Sequence, residues 1–280
     1  MLKYNYCSLI LWKLKILLMN LINKLKTRIK NKLIHELTKE EQRIKREKLK
    51  LNPPITDDYY LLEDIQEPSY MKHQNWFNHL IQEFNKPGLE ILEIGSREVT
   101  GKSGAREAFN NANYTGFDYH PGPNVDVVGD VHKLSSYFDK KYDLIYSSSC
   151  FEHFAMPWQA ATEISKLLKV GGHIFIETHF SYRSHERPWN FFQFSDLGLQ
   201  VLFSEAMGYK CLDKGMTNPI VGRFSMYSDE YLRYIPIKGL YCHSQYFGVK
   251  KENIDNFDWS TISLEDLVNN TIYPEKTEMR

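Results

Sequence analysis

Glu90-Ile-Leu-Glu-Ile-Gly-Ser-Arg97, continued by Glu98-Val-Thr-Gly-Lys-Ser-Gly104, decides the fold. The apolar run has the length of a buried strand, stops at Gly95, turns on small residues and re-enters a helical pattern. In an open α/β sheet this turn lies at the carboxyl edge of the first strand, where ligands bind. Glycine at position 95 tolerates unusual φ values and lets another group approach the backbone. Glu93 at the strand's end suits a ligand with a positive end better than a phosphate.

Working outward, the spacing predicts alternating helices and strands. Tyr70–Asn85 reads as a helix leading into the domain, and Gly101–Asn111 as the first crossover helix. Strands are predicted over Tyr114–Asp118, Val125–Asp130 and Tyr142–Tyr146, the first two ending in an acid. Pro157 opens a helix ended by Gly171-Gly172, and a fifth strand runs through Ile174–Ile176 towards His179. Ser195–Met207 reads as another helix, and Tyr209–Leu212 and Ser244–Val249 as the last two strands around an excursion over 213–242. Ser263 and Asp266 have capping-box spacing for a short tail helix. The pattern implies an α/β, Rossmann-like, doubly wound sheet of seven mostly parallel strands with helices on both faces.

The boundaries that follow are a basic helical extension (1–51), a linker opened by Asn52-Pro-Pro-Ile (52–69), the α/β domain (70–255) and a tail (256–280). The chain's net charge is zero, yet residues 1–50 carry fourteen Lys/Arg against four Glu. The rest is therefore acidic, which argues against a nucleic-acid binder. Leu14, Leu17, Leu18, Leu21, Leu25, Ile29 and Leu33 recur at helical spacing among lysines and arginines. Such a face fits peripheral contact with an anionic membrane surface, or packing on protein. The apolar run is too short and too broken by lysine to span a bilayer, and Met19 is an alternative start. Cys7, Cys150, Cys211 and Cys242 are scattered, which fits reduced thiols in a cytoplasmic protein. No carboxylate or histidine cluster has ligand spacing, so no metal is expected.

Asp118 lies one βαβ step beyond Glu93, where an acid can accept from both ribose hydroxyls; Asp130 can accept from an adenine amino group. Glu93-Ile-Gly95, these two acids, Tyr142-Asp-Leu-Ile-Tyr-Ser-Ser-Ser-Cys-Phe-Glu-His153, Pro157 and Glu163-Ile-Ser-Lys-Leu-Leu-Lys-Val-Gly-Gly172 occur in order. Together they resemble the class I S-adenosylmethionine-dependent methyltransferases, in particular small-molecule and glycan-directed members, over roughly residues 75–250. The resemblance implies S-adenosyl-L-methionine as cofactor, with Gly95 and Ser96 contacting its methionine part through their backbone. It further implies Asp118 on the ribose, Asp130 and Val131 on adenine, Tyr119 on the adenine face, and Glu93 and Ser147 in the same site. Two positions depart from the family pattern: Arg97 stands where many members have a second glycine, and Val170 replaces a proline. The dinucleotide fingerprint fits worse, because it needs glycine at Arg97 and Thr100.

Methyl transfer is an in-line displacement, so alignment and exclusion of water dominate, and a hydroxyl acceptor also needs a base. The candidates are His153, His179 and His185, with a purely structural role open for His153 and Glu152. His179, His185, Arg187, Trp189 and Asn190 fall on one aromatic-rich loop after the fifth strand. It is similar to a loop of methyltransferases encoded with glycan-assembly enzymes, with Asn190 and Gln193 replacing Asp and Arg. Aromatic rings there suit a saccharide acceptor, or simply close the core. A non-catalytic binding module recruited by the basic helix is the reading from a different class.

Overall fold

The structure, a computed structural model, describes residues 4–51, 57–62, 65, 67–69, 71, 75–99 and 101–268. The Asn52-Pro-Pro-Ile linker, Met1, Thr100 and the tail beyond Val268 lie outside the described residues. Two compact units are present: Met1–Tyr59 with Gly222–Ile237, and Tyr60–Val221 with Lys238–Arg280.

The first unit holds helix α1 (Tyr4–Leu51) and the two-stranded hairpin β7 (Gly222–Arg223) and β8 (Pro236–Ile237). Helix α1 keeps Leu14, Leu17, Leu18, Leu21, Leu25, Ile29 and Leu33 exposed. Among the described residues no helix is long and apolar enough to cross a membrane.

The second unit is built on a seven-stranded sheet. Its strands are β1 (Glu90–Ile94), β2 (Asn113–Asp118), β3 (Val127–Val128), β4 (Tyr142–Ser148), β5 (Leu168–His179), β6 (Tyr209–Pro219) and β9 (Tyr241–Lys250). The spatial order is β3-β2-β1-β4-β5-β9-β6. Pairings from β3 to β5 are parallel, and β9 alone runs antiparallel to both neighbours. The order reverses direction between β1 and β4, so the carboxyl ends of these strands open a crevice at the switch point.

Alternation along β1 divides the core. Leu92 and Ile94 join Ile145, Ile174, Ile176 and helix α4 (Pro157–Leu167) on one face. Ile91 joins Leu144, Phe175 and helix α2 (Trp76–Phe84) on the other. Ile164 of α4 is fully buried; truncating such a side chain to alanine costs about 2–5 kcal/mol. Burial on both faces is why these strands read as continuous apolar runs.

Several predicted elements are shorter than their patterns. The helix expected over 101–111 is the single turn α3 (Ala105–Ala108), because Gly101 and Gly104 adopt positive φ and hold the chain out of helix. The strand expected over 125–130 pairs only at Val127–Val128, because the Asp126 carboxylate itself accepts the Gly116 N–H at 2.8 Å. Gly171-Gly172 does not end α4. Leu168 already pairs with Tyr142 and is fully buried, so both glycines lie inside β5. The helix expected over 195–207 is split into α5 (Asp196–Leu202), capped by Ser195, and a separate turn over Glu205–Met207. The capping box of Ser263 and Asp266 opens helix α6 (Leu264–Leu267) as its spacing predicts.

Candidate active site

The candidate site lies along the carboxyl ends of β2, β1, β4 and β5, within the second unit. Gly95 leaves β1 with φ +84°. A Cβ there would stand 2.7 Å from Cys150 Sγ, so the glycine makes room for the turn after β4. Burial pushes the Cys150 thiol well above its usual range, and the nearby Glu152 and Asp118 carboxylates push the same way. This thiol is a packing group that touches both ends of the site electrostatically.

Glu93 is engaged by β2 and by the segment that follows it. It is buried, accepts a hydrogen bond from the Tyr114 hydroxyl, and receives Asn124 Nδ2 at 3.4 Å. Burial raises its carboxyl above the usual range. Asn124, held in the left-handed region at φ 67°, also donates to Ser96 O at 3.1 Å and to the Tyr114 hydroxyl at 2.8 Å. Glu93 is thus tied through Asn124 to the turn that carries Ser96.

Asp118 and Asp130 are placed differently. The Asp118 carboxylate accepts the backbone N–H of His120 at 2.9 Å and of Arg97 at 3.3 Å. Arg97 Nε adds a contact at 3.4 Å, so the residue standing in the glycine position covers part of the acid. Asp130 caps the following turn and accepts from the His132 N–H at 3.0 Å, with His132 Nδ1 at 2.7 Å. Burial opposes its ionisation, but the His132 contacts outweigh it and hold the carboxyl below its usual range. His132 Nε2 receives the Met156 N–H at 3.1 Å, which fixes the neutral ring with its proton on Nδ1 towards Asp130. Val131 is buried beneath, and the Tyr119 ring is exposed beside Trp189, ring centres 5.9 Å apart. Ser96 Oγ and Ser147 Oγ are buried at the ends of β1 and β4 without a hydrogen-bond partner.

The adenosine half of S-adenosylmethionine fits what is present. Two acids sit at successive strand ends with an open ring beside them. The methionine half fits less directly, since Gly95 is covered by Cys150 and Glu93 is engaged elsewhere.

At the other end, residues distant in sequence converge. Glu152 follows β4, His179 ends β5, and His153 and His185 lie on the two adjoining loops. The 180–194 loop is fastened to the Phe151–His153 turn: Phe191 and Phe192 N–H donate to Glu152 O at 2.9 and 3.2 Å. Trp189 O receives His153 Nδ1 at 2.7 Å, and Phe194 N–H donates to His179 O at 2.9 Å, closing the loop's base. Gln193 is used inside the loop, exchanging hydrogen bonds with the Tyr182 backbone at 3.0 and 3.3 Å. The Arg187–Pro188 peptide is cis.

The Glu152 carboxylate is completely buried. One oxygen accepts from Thr178 Oγ1 at 2.7 Å. The other, Oε1, lies 2.6 Å from His179 Nδ1 and 3.8 Å from both His153 Nε2 and His185 Nε2. Neither Oε1 nor His179 Nδ1 makes a directed hydrogen bond despite their closeness. Burial works to raise the Glu152 carboxyl, but the contacts with His179 and Thr178 more than offset it and leave it below its usual range. One donor atom each of Glu152, His179 and His185 lie within 4.8 Å of one another, as do those of His179, Cys242 and His243. The expectation of no metal rested on spacing along the chain, whereas these groups are brought together by folding.

The structure brings together all three predicted histidines and places Asp118, Tyr119, Asp130, Val131, Ser96 and Ser147 along one sheet edge. Sequence reading missed Glu152 as their hub and Tyr182, whose ring stacks on His179 at 4.5 Å. Only the adjacency of Glu152 to His153 signalled the first, and nothing local signalled the second.

A family profile described as a methyltransferase domain matches residues 91–176. That span runs from β1 to within β5, so this part of the chain carries a methyltransferase domain. Solved structures of similar fold include the YcgJ protein of Bacillus subtilis, 16% identical, covering 65% of this chain and 100% of that one, TM-score 0.45. The 1,6-didemethyltoxoflavin-N1-methyltransferase of Burkholderia thailandensis, solved with 1,6-didemethyltoxoflavin and S-adenosylhomocysteine, is 16% identical over 64% and 78%, TM-score 0.45. The magnesium protoporphyrin IX methyltransferase of Synechocystis, solved with bound cofactor, is 13% identical over 64% and 79%, TM-score 0.41. Among curated proteins none matches the sequence.

Proposed function

We propose that the chain transfers a methyl group from S-adenosylmethionine to a hydroxyl or amine of a small acceptor, and that a saccharide or glycan precursor is that acceptor. The observation that carries the reading is the convergence of His153, His179 and His185 on one buried carboxylate, beside an aromatic shelf. The cofactor supplies an electrophilic methyl on a sulfonium. Asp118 and Asp130 hold its ribose and adenine, with Tyr119 and Val131 on either side and Ser96 and Ser147 at the strand ends. The histidine end activates the acceptor's oxygen or nitrogen. Trp189, Tyr182 and Phe191 are exposed on the loop and offer flat apolar faces to a sugar ring, flanked by polar Asn190 and Arg187.

The exposed leucines and basic surplus of α1 support peripheral contact with an anionic surface, in a protein we place in the cytoplasm. The test of function is incubation of the full chain with radiolabelled S-adenosylmethionine and a panel of sugar nucleotides and free saccharides. Label transfer to a saccharide supports the reading, and transfer to none of them while the cofactor binds removes the saccharide assignment. A second reading, a binding module without catalysis, draws on Arg97 covering Asp118 and Cys150 covering Gly95. Absence of S-adenosylhomocysteine binding in calorimetry would favour it.

A further inference from the structure

The Glu152 cluster gathers one carboxylate oxygen and three imidazole rings, with the Glu186 carboxylate 3.5 Å from His153 Nε2. His153 Nδ1 faces the Trp189 carbonyl and His185 Nδ1 the Arg183 carbonyl at 3.1 Å, so in both rings Nδ1 donates. In the neutral rings, the lone pairs therefore sit on Nε2, and both Nε2 atoms are 3.8 Å from Glu152 Oε1. Oε1 and His179 Nδ1 are buried and make no directed hydrogen bond. Electron-rich atoms gathered in such a place are held by shared protons or by a cation among them, and the second is what a donor set of this kind can bind.

We propose that Glu152, His179 and His185 bind a divalent transition-metal ion of the zinc class. Two imidazoles and one carboxylate form the donor set of an open zinc site, in which a fourth position remains for water or substrate. Ligands about 2.1 Å from a tetrahedral ion stand roughly 3.4 Å apart. The 3.8 Å between His185 and Glu152 already suits this, while the 2.6 Å between His179 and Glu152 must open slightly. Nitrogen donors disfavour magnesium and calcium. Thr178 holds the second Glu152 oxygen, and the Arg183 carbonyl holds the far nitrogen of His185, which orients both ligands. The neighbouring group of His179, Cys242 and His243 is the weaker alternative, since His243 Nδ1 already faces Asn218 Nδ2 at 2.9 Å. Only the use of the ion, to bind and acidify the acceptor's hydroxyl, rests on the methyltransferase reading; its binding does not.

The test is titration of the full chain, stripped with chelator, with zinc chloride in calorimetry and with cobalt chloride followed by visible absorption. One ion per chain is expected, with the cobalt bands of a four-coordinate nitrogen and oxygen site. Separate Glu152→Gln and His185→Ala variants should weaken zinc binding by on the order of 10–100-fold or more. His185 is on a loop surface, so its variant keeps the test valid if the Glu152 variant does not fold. Cys242→Ser should bind as the parent does. Stoichiometric binding absent from the parent chain, or binding lost in Cys242→Ser but kept in His185→Ala, overturns the proposal. Titration of the same stripped sample with S-adenosylhomocysteine reports separately on the cofactor site.

Discussion

The two ends of the candidate site are built on different principles. At the end formed by β1, β2 and β3, both acids accept backbone N–H groups two residues further on in sequence. Asp130 caps its own turn, and Asp118 receives the N–H of His120. At the β4–β5 end, Glu152 meets His179 and His185 across two loops and a helix, and two of the facing atoms lack directed partners. The first arrangement leans on its own backbone; the second depends on side chains that only folding brings together. A satisfied turn can present a carboxylate to a ligand without strain, whereas an incompletely satisfied buried cluster is where chemistry is to be sought.

The comparison can be broken at its hinge. Gly95→Ala places a Cβ against Cys150 Sγ at a positive φ, and should cost about 2–4 kcal/mol in denaturant unfolding. Adding Cys150→Ala should recover the packing part alone; full recovery would mean the backbone strain is absent. If the locally built end holds the ribose, Asp118→Ala should weaken S-adenosylhomocysteine binding by on the order of 10–100-fold in calorimetry. Unchanged affinity would remove that assignment.

Buried charge gives a second comparison. Glu152 has histidines around it, but Lys250 is buried and, among the described residues, donates to the carbonyls of Ser165 and Leu168, at 2.5 and 3.3 Å. Burial pushes its ammonium down to about 8, from 10.5. Between these values the unfolded chain binds more protons than the folded one, so this residue makes stability rise with pH across that window. The gain should be about 1–3 kcal/mol, and Lys250→Met should flatten the slope relative to the parent chain. The smallest effect concerns the loop. Trp189→Ala should raise the acceptor's KM several-fold, about 1 kcal/mol, with S-adenosylhomocysteine affinity changed by less. Equal losses in both would place the ring on the cofactor instead.

The sheet was legible because its strands are buried on both faces and read as apolar runs closed by acids or glycines. Local lengths were less so. Gly101, Gly104 and the Asp126 side chain shorten α3 and β3 through backbone angles and one hydrogen bond that periodicity does not record. Leu168 has helical surroundings in sequence, yet pairing with Tyr142 draws it into β5.

By itself the sequence determined the order of elements, the acids at the strand ends and the histidines of the later loops. These depend on patterns within about a dozen residues, where hydrophobic period and turn chemistry act directly. Tertiary structure alone decided that Glu93 turns inward to Tyr114, that Arg97 leans on Asp118, and that Glu152 gathers three histidines. Those outcomes depend on which side chains meet after the sheet closes, and no spacing along the chain encodes a distance of 2.6 Å between residues 152 and 179.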